Sequence, residues 1–504
     1  MHDRIRHAGL LEKRMSPEAA AALIKPGMTV AMSGFTGAGY PKAVPQALAA
    51  QMETATAAGT DFKIKILTGA STAPELDGVL AKAGGMELRL PYMSDPALRK
   101  RINDGEIEYM DIHLSHVAQH TWFGFYGDIN IAIIEVVGIR EDGSLIPSSS
   151  VGNNKTWLDM ADAVIIEVNS QQQSAGLEGM HDIYYGTALP PFRQPIMLTA
   201  PEDRIGQPYL DVDISKIIAV VETDAPDRLS AFAEPDATSN QIADHLLDFL
   251  DGEIKTGRMT DKLLPLQSGV GNIANAVLAG LARGGYRGLK AYTEVIQDGM
   301  LALIKDGTIE FASATSFSLS EAGIAEFNRH VDFYRSRIVL RTQEISNHPE
   351  LIRRLGCVAL NGMIEADIYG NVNSTNVVGS HVMNGIGGSG DFARNGFLSV
   401  FMSPSVAKEG RISGIVPFAS HVDHTEHDTM LLITEQGYAD LRGLSPKQRA
   451  RVITEKLAHP DYKPMLEDYF TRALRDSYGK HTPHLMGEAL SWHQRYIETG
   501  DMRL

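Results

Sequence analysis

Short apolar runs rich in β-branched residues recur along the chain, each separated from the next by a segment of helix-forming composition. Strands are expected at 28–32, 63–67, 129–137, 163–168 and 217–221, then at 289–293, 338–340, 398–402, 412–416 and 431–434. Several of these runs are apolar throughout, as strands covered on both faces must be. Between them, Ser16-Pro17 and Ser445-Pro446 each precede a helical segment. Serine suits the N-cap, and proline suits the first turn, where its missing N–H costs nothing. Strands alternating with helices call for an α/β fold with mainly parallel sheets.

At 504 residues the chain exceeds one ordinary domain, and two large ones are expected. A faint internal echo suggests two related open α/β domains. Val30-Ala-Met-Ser-Gly-Phe-Thr-Gly leads into an Ala/Leu-rich helix, and so does Leu264-Pro-Leu-Gln-Ser-Gly-Val-Gly. Thr223-Asp-Ala-Pro-Asp and Ala233-Glu-Pro-Asp read as linker, placing the domains at 1–222 and 238–504.

The formal net charge of −16 argues against nucleic-acid binding, which usually needs a basic face. A local Lys/Arg cluster could still hold an anionic ligand. The single cysteine, Cys357, excludes an intrachain disulfide and fits a reducing cytoplasm. It lies in an apolar run with no base nearby in sequence, and so reads as a small buried hydrophobe. The N-terminus is charged and leads into no long apolar core, unlike a secretory signal. No stretch reaches the length of apolar residues that a membrane-spanning helix needs.

The chemistry is expected at Glu294. A strand-like run ends on this carboxylate, and Gln297, Asp298 and Gly299 then suit a loop. Open α/β sheets bind ligands outside the carboxyl ends of their strands. Three glycine-rich loops accompany it: Ser33-Gly-Phe-Thr-Gly-Ala-Gly-Tyr-Pro41, Gln267-Ser-Gly-Val-Gly-Asn272 and Asn384-Gly-Ile-Gly-Gly-Ser-Gly-Asp391. Such loops let backbone N–H groups approach a ligand or converge on an oxyanion. The first is neither a P-loop nor a dinucleotide fingerprint. His421-Val-Asp-His424-Thr-Glu-His427 has the residue types of a metal site but no assured helical face, and reads better as a polar loop rimming a site. Arg394, Lys408 and Arg411 could form the positive patch that phosphates need.

Three segments together carry a resemblance. Asn361-Gly-Met-Ile-Glu-Ala-Asp-Ile-Tyr-Gly-Asn-Val-Asn-Ser374, the glycine loop at 385–391 and Thr293-Glu-Val-Ile-Gln-Asp-Gly299 resemble the acetyl-CoA hydrolase/transferase family, class I CoA-transferases with a glutamate nucleophile. The likeness runs from the Ser33 loop to Gly479-Lys-His-Thr-Pro-His484. It implies two open α/β domains with the active site between them, in a homodimer. It implies that Glu294 forms a glutamyl-CoA thioester and that the N–H groups of Val270 and Gly388 form the oxyanion hole. Leu266, Gln267, Ser268, Gly269, Val270, Ile364, Asn384, Gly388 and Lys408 are implied to contact CoA, and Asn347, Arg228 and Glu435 to line the carboxylate end. Substrates would be an acyl-CoA, such as succinyl-CoA, and a short carboxylate, such as acetate. No metal, permanently bound cofactor, nucleic acid or membrane is implied.

The residue types suit that chemistry. A glutamate with a reference pKa near ~4.3 is an ionised nucleophile needing no general base. The same site with water as acceptor would be an acetyl-CoA hydrolase. A nucleotide-linked oxidoreductase is disfavoured, because no G-x-G-x-x-G is followed by an acidic residue roughly 20 positions on. A noncatalytic binding protein would leave Glu294 and the Gly388 loop without a joint purpose.

Overall fold

A computed structural model describes residues 2–171, 174–186, 189–229 and 234–503. The chain divides into two compact units that interleave along the sequence. The first comprises Met1–Phe232, Ala291–Lys305 and Glu310–Leu355, and the second Ala233–Lys290, Asp306–Ile309 and Gly356–Leu504. Glu294 therefore belongs to the first unit, although it follows the linker expected over 222–237. Residues 230–233 of that linker lie outside the described residues.

The first unit is built on an eight-stranded sheet. Its seven parallel strands run in the order Glu108–Tyr109, Met86–Tyr92, Ile64–Ala70, Thr29–Met32, Ile129–Ile139, Ala161–Asn169, Ile217–Thr223. Leu145–Pro147 joins Ile129–Ile139 antiparallel. Ile131, Ile133, Val164 and Ile166 are fully or almost fully buried, which accounts for the apolar runs. Successive connections step one way from Thr29–Met32 and later ones step the other way. The strand order thus reverses beside Thr29–Met32, the position at which such sheets open a crevice for ligands. The first glycine loop leaves the sheet at this reversal. Elsewhere in this unit Val295–Gln297 pairs parallel with Ser316–Ser318.

In the second unit, Leu266–Ser268, Val358–Gly362, Leu398–Met402 and Leu431–Thr434 pair in parallel, in that order. Gly437–Asp440 turns back antiparallel on the last. Helices Pro446–Leu457 and Lys463–Asp476 supply Ile453, Leu457, Leu466 and Phe470 to a core shared with Phe401, Leu432 and Trp492. The Ser445 start is a capping box, with Gln448 returning a side-chain bond to the cap. Ser16 likewise caps Pro17–Ala21. Both segments of the internal echo contain a strand, a turn and a helix: Thr29–Met32 with Ala43–Ala57, and Leu266–Ser268 with Asn272–Arg283. Cys357 is a buried free thiol whose pKa burial pushes up. No helix among the described residues is long and apolar enough to cross a membrane.

Candidate active site

Glu294 sits between the end of strand Leu289–Tyr292 and the start of Val295–Gln297. Its backbone is held tightly. The N–H groups of Thr315 and Ser316 donate to its carbonyl at 3.0 and 3.1 Å, and Thr293 N–H donates to the Ser313 carbonyl at 2.9 Å. Ser316 Oγ in turn donates to the Phe35 carbonyl at 2.9 Å and meets Thr36 Oγ1 at 3.2 Å. The first glycine loop is therefore tied to the parallel pair of strands beside the carboxylate.

The Glu294 carboxylate has one side-chain partner among the described residues, the Asn347 amide, which donates at 3.0 Å to Oε1. Asn347 is buried at the end of helix Gln343–Ser346. The carboxyl keeps a partial opening to solvent, yet the protein around it is dense enough that desolvation pushes its pKa up to about 7, against the Asn347 bond. This corrects the view of Glu294 as an ordinary ionised carboxylate: burial leaves it poised between its two states at neutral pH. Such poise suits a nucleophile that must be regenerated each cycle.

Glu435 is a different case. It accepts from Ser405 N–H at 2.8 Å, from the Ser405 hydroxyl and from Gln436 Nε2 at 3.0 Å. Burial would raise its pKa, but these bonds outweigh burial and hold it below the ordinary range. With its lone pairs so committed, it is the poorer nucleophile.

Arg228 is exposed in the first unit, and its backbone N–H donates to the Gly37 carbonyl at 3.2 Å. It lines a small cavity of about 40 Å³ with Ala38, Ser149, Asp227, Phe317 and Phe327. Beneath it, sequence reasoning missed a buried ion cluster. Lys42, with no exposed surface, bonds to Asp227 at 2.9 Å and to Glu135. Burial alone would lower the Lys42 pKa, but the two carboxylates raise it. Burial pushes Glu135 up, against Lys42. Asp227 also accepts from Gly39 N–H at 3.0 Å and from Ser149, while Phe317 N–H donates to the Ser149 carbonyl at 3.0 Å. These residues are scattered over nearly two hundred positions, and no local pattern marks them.

In the second unit, Ser268, Gly269 and Val270 line a cavity of about 330 Å³ together with Asp236, Asn272, Asn361 and Pro404. Leu266, Gln267, Ile364, Asn384, Gly388 and Lys408 lie in the same unit, outside the residues that line this cavity. Asp236 was not expected there, although Asp236 followed by Ser239 is a readable N-cap, and the structure uses it as one. Among the described residues, neither Val270 N–H nor Gly388 N–H has a hydrogen-bond partner. Each is free to meet a ligand oxygen. Lys408 occupies a turn at φ +51°, with its carbonyl accepting from Arg411 Nε at 3.0 Å. Arg394 lies 3.9 Å from Asp428, and Arg411 lies 3.4 Å from Glu409. The expected patch is thus partly balanced by acids.

The three histidines of the 421–427 segment separate. His421 and His427 are exposed, and His421 Nε2 lies 3.3 Å from Asp423. His424 is buried against Phe401, with ring centroids 4.6 Å apart. Among the described residues no group of three or more His, Cys, Asp or Glu side chains is arranged to hold a metal ion.

Comparison with known proteins bears on this arrangement. The model of the acetyl-CoA hydrolase/transferase N-terminal domain matches residues 1–222, and that of the C-terminal domain matches residues 323–470. The chain belongs to the acetyl-CoA hydrolase/transferase family. It is 50% identical to the succinyl-CoA:acetate CoA-transferase of Clostridium kluyveri over 99% of this chain and 92% of that one. It is 46% identical to the propanoyl-CoA:succinate CoA transferase of Escherichia coli, over 97% and 98% of the two chains. The acetyl-CoA hydrolase of Schizosaccharomyces pombe is 44% identical, over 100% and 99%. Among solved structures, 4-hydroxybutyrate CoA-transferase from Porphyromonas gingivalis superposes with a TM-score of 0.63 at 22% identity, covering 92% of this chain and 98% of that one. RipA from Yersinia pestis superposes with a TM-score of 0.70 at 21% identity and the same coverage. These two likenesses establish a shared mixed α/β fold with mainly parallel sheets. As a member of the acetyl-CoA hydrolase/transferase family the chain is an enzyme, and its relatives divide between transfer and hydrolysis.

Proposed function

We propose that the protein moves CoA from succinyl-CoA to acetate through a thioester on Glu294. The observation that carries this reading is the Glu294 carboxylate itself. It is desolvated, poised near neutrality and held by Asn347 alone among the described side chains. Full-length likeness to a named succinyl-CoA:acetate CoA-transferase supports the choice of substrates.

The steps follow from atom balance. A Glu294 oxygen attacks the succinyl thioester carbon, and CoA leaves as thiolate. The thiolate attacks Glu294 Cδ of the resulting anhydride, and succinate departs with the bridging oxygen that Glu294 supplied. Acetate then attacks the glutamyl thioester and forms a second anhydride. The thiolate attacks its acetyl carbon, yielding acetyl-CoA and a free Glu294 that retains one acetate oxygen. Each addition creates an oxyanion, and the unpaired N–H groups of Val270 and Gly388 are the donors assigned to it. Leu266, Gln267, Ser268, Gly269, Ile364, Asn384 and Lys408 are assigned to CoA, and Asn347, Arg228 and Glu435 to the carboxylate. Thioester energy is conserved throughout, and carboxylate exchange gives a metal no water to activate. The enzyme is expected to be a cytoplasmic homodimer, which sedimentation of the purified protein tests.

Acetyl-CoA hydrolase is the second reading, favoured by the 44% identity to a protein of that name. Incubation with succinyl-CoA alone decides first on the covalent route. The protein should gain the mass of CoA, and borohydride should reduce the adduct at Glu294. Unmodified protein with full activity would remove Glu294 as nucleophile. Acetate then separates the readings: acetyl-CoA accumulates in one, and free thiol in the other.

A further inference from the structure

The 421–427 histidine segment has no place in the chemistry above, yet one of its members is built into the loop that carries Gly388. His424 is 2% exposed. Its backbone is zipped to Val372, with Val372 N–H donating to the His424 carbonyl at 2.8 Å and His424 N–H returning a bond at 3.0 Å. Its Nε2 lies 3.2 Å from two hydroxyls, those of Ser374 and Ser389. Ser389 is the residue after Gly388.

The neighbouring acceptors assign the roles. Each serine has one hydroxyl hydrogen. That of Ser389 goes to the Ile386 carbonyl at 2.6 Å, since a carbonyl can only accept. That of Ser374 goes to the Asp423 carboxylate at 3.3 Å, which also takes Ser374 N–H at 2.7 Å. With the two hydroxyl hydrogens placed on these acceptors, both oxygens present lone pairs to the ring, and the matching tautomer carries its hydrogen on Nε2, shared between them. The same Ser389 hydroxyl thus closes the glycine turn onto Ile386 and anchors it, through His424, to Ser374 just past strand Val372–Asn373. Gly387 within the turn adopts φ +58°, which glycine tolerates.

We propose that His424 is a positioning residue: its Nε2–H clamps Ser389 to Ser374 and thereby sets the direction of the Gly388 N–H. The inference rests on reading that N–H as an oxyanion donor. A donor pointing about 1 Å astray costs on the order of 10²-fold in rate, whereas CoA binding, which draws on many contacts, changes little.

The test uses His424→Phe, His424→Gln and Ser389→Ala in the full-length protein. Phenylalanine keeps the ring packing against Phe401 and loses the donor, glutamine keeps an N–H donor, and Ser389→Ala removes the acceptor with His424 untouched. Two readouts are taken on each: amide hydrogen exchange of the peptide spanning 384–391, and kcat with KM for succinyl-CoA. His424→Phe and Ser389→Ala should both speed exchange in that peptide and lower kcat on the order of 10- to 10²-fold, with KM within about threefold. Glutamine should restore most of both. Unchanged loop exchange in both His424→Phe and Ser389→Ala overturns the clamp, whatever the state of the Glu294 assignment. A loosened loop with parental kcat overturns the link to catalysis. Absence of a CoA adduct on the parent enzyme would instead strike the Glu294 reading, and the exchange data would still decide the clamp.

Discussion

A carboxyl with a pKa near 7 is charged in only about half of the molecules at neutral pH, so on the proposed mechanism the charge of Glu294 limits adduct formation. The rate of adduct formation from succinyl-CoA should rise between pH 6 and 8, with a midpoint near 7. Asn347→Ala removes the bond that favours the charged form, so the midpoint should move up, and stopped-flow or quenched mass measurements across pH would show it. A midpoint near 4 would mean that solvent reaches the carboxylate freely. The same shift has a stability consequence. Because the folded-state pKa lies above the unfolded value, the folded protein binds more protons between about pH 4.3 and 7, and Glu294 costs stability as pH rises through that window. The cost is absent below the window and complete above it. Glu294→Gln should therefore raise the melting temperature relative to the parent at pH 8, with the gap closing at pH 5. Glu294→Ala should abolish transfer, and Glu294→Asp should lower it on the order of 10²-fold, since a carboxylate one methylene short misses the attack position.

Elements are held in place here by interactions between distant residues as much as by local pattern. Lys42 precedes helix Ala43–Ala57, Glu135 lies in strand Ile129–Ile139, and Asp227 follows strand Ile217–Thr223. Lys42→Met would leave two buried carboxylates facing each other without their cation. The expected loss is about 3–5 kcal/mol of folding stability, read from denaturant midpoints, with partial recovery on adding Glu135→Gln. An unchanged midpoint would mean that the cluster is solvated in solution. Nothing in the sequence announces that cluster, whereas strands Leu398–Met402 and Leu431–Thr434 were legible to the residue, because an uninterrupted apolar run has few other places to go. Strand Met86–Tyr92 was not legible: Arg89 and Pro91 break its pattern, and the arginine is tolerable there because it pairs with buried Asp77 at 2.8 Å and donates to the Leu90 carbonyl. The run at 412–416 was expected as one strand and forms two, Ile412–Ser413 and Ile415–Val416. Between them Gly414 passes so close to another segment that a Cβ would meet the Pro404 carbonyl at 2.7 Å. Glu294 was readable as a carboxylate at a strand end, but the loop expected at 297–299 is absent: Gln297 closes strand Val295–Gln297, and Asp298 and Gly299 open helix Asp298–Lys305. Ser389 and His424 were not readable, because their meeting spans 35 positions.

On the scale of the whole molecule, the sequence order hides how the chain is shared out, since 291–305 and 310–355 return to the first compact unit after the second has begun. Family membership then leaves one question about the enzyme as a unit: whether carboxylate or water completes the cycle. Oxygen bookkeeping answers it. In transfer, every acetate that accepts CoA leaves one of its oxygens on Glu294, and a later succinate carries that oxygen away. Acetate labelled with ¹⁸O in both positions should therefore place one label in each succinate once the original Glu294 oxygens have been replaced over the first few turnovers, with acetyl-CoA retaining the other. In hydrolysis of the glutamyl thioester, the oxygen left on Glu294 comes from solvent. Succinate then stays unlabelled in labelled acetate and gains one label in H₂¹⁸O. Run together with the Glu294→Ala protein as a blank, the two labelling patterns are exclusive for each turnover, and their ratio is the ratio of transfer to hydrolysis. Label in succinate from acetate in at least nine of ten turnovers is the expected result. Label mainly from water would make the protein a hydrolase, and no label from either source would show that the carboxylate of Glu294 never enters the reaction.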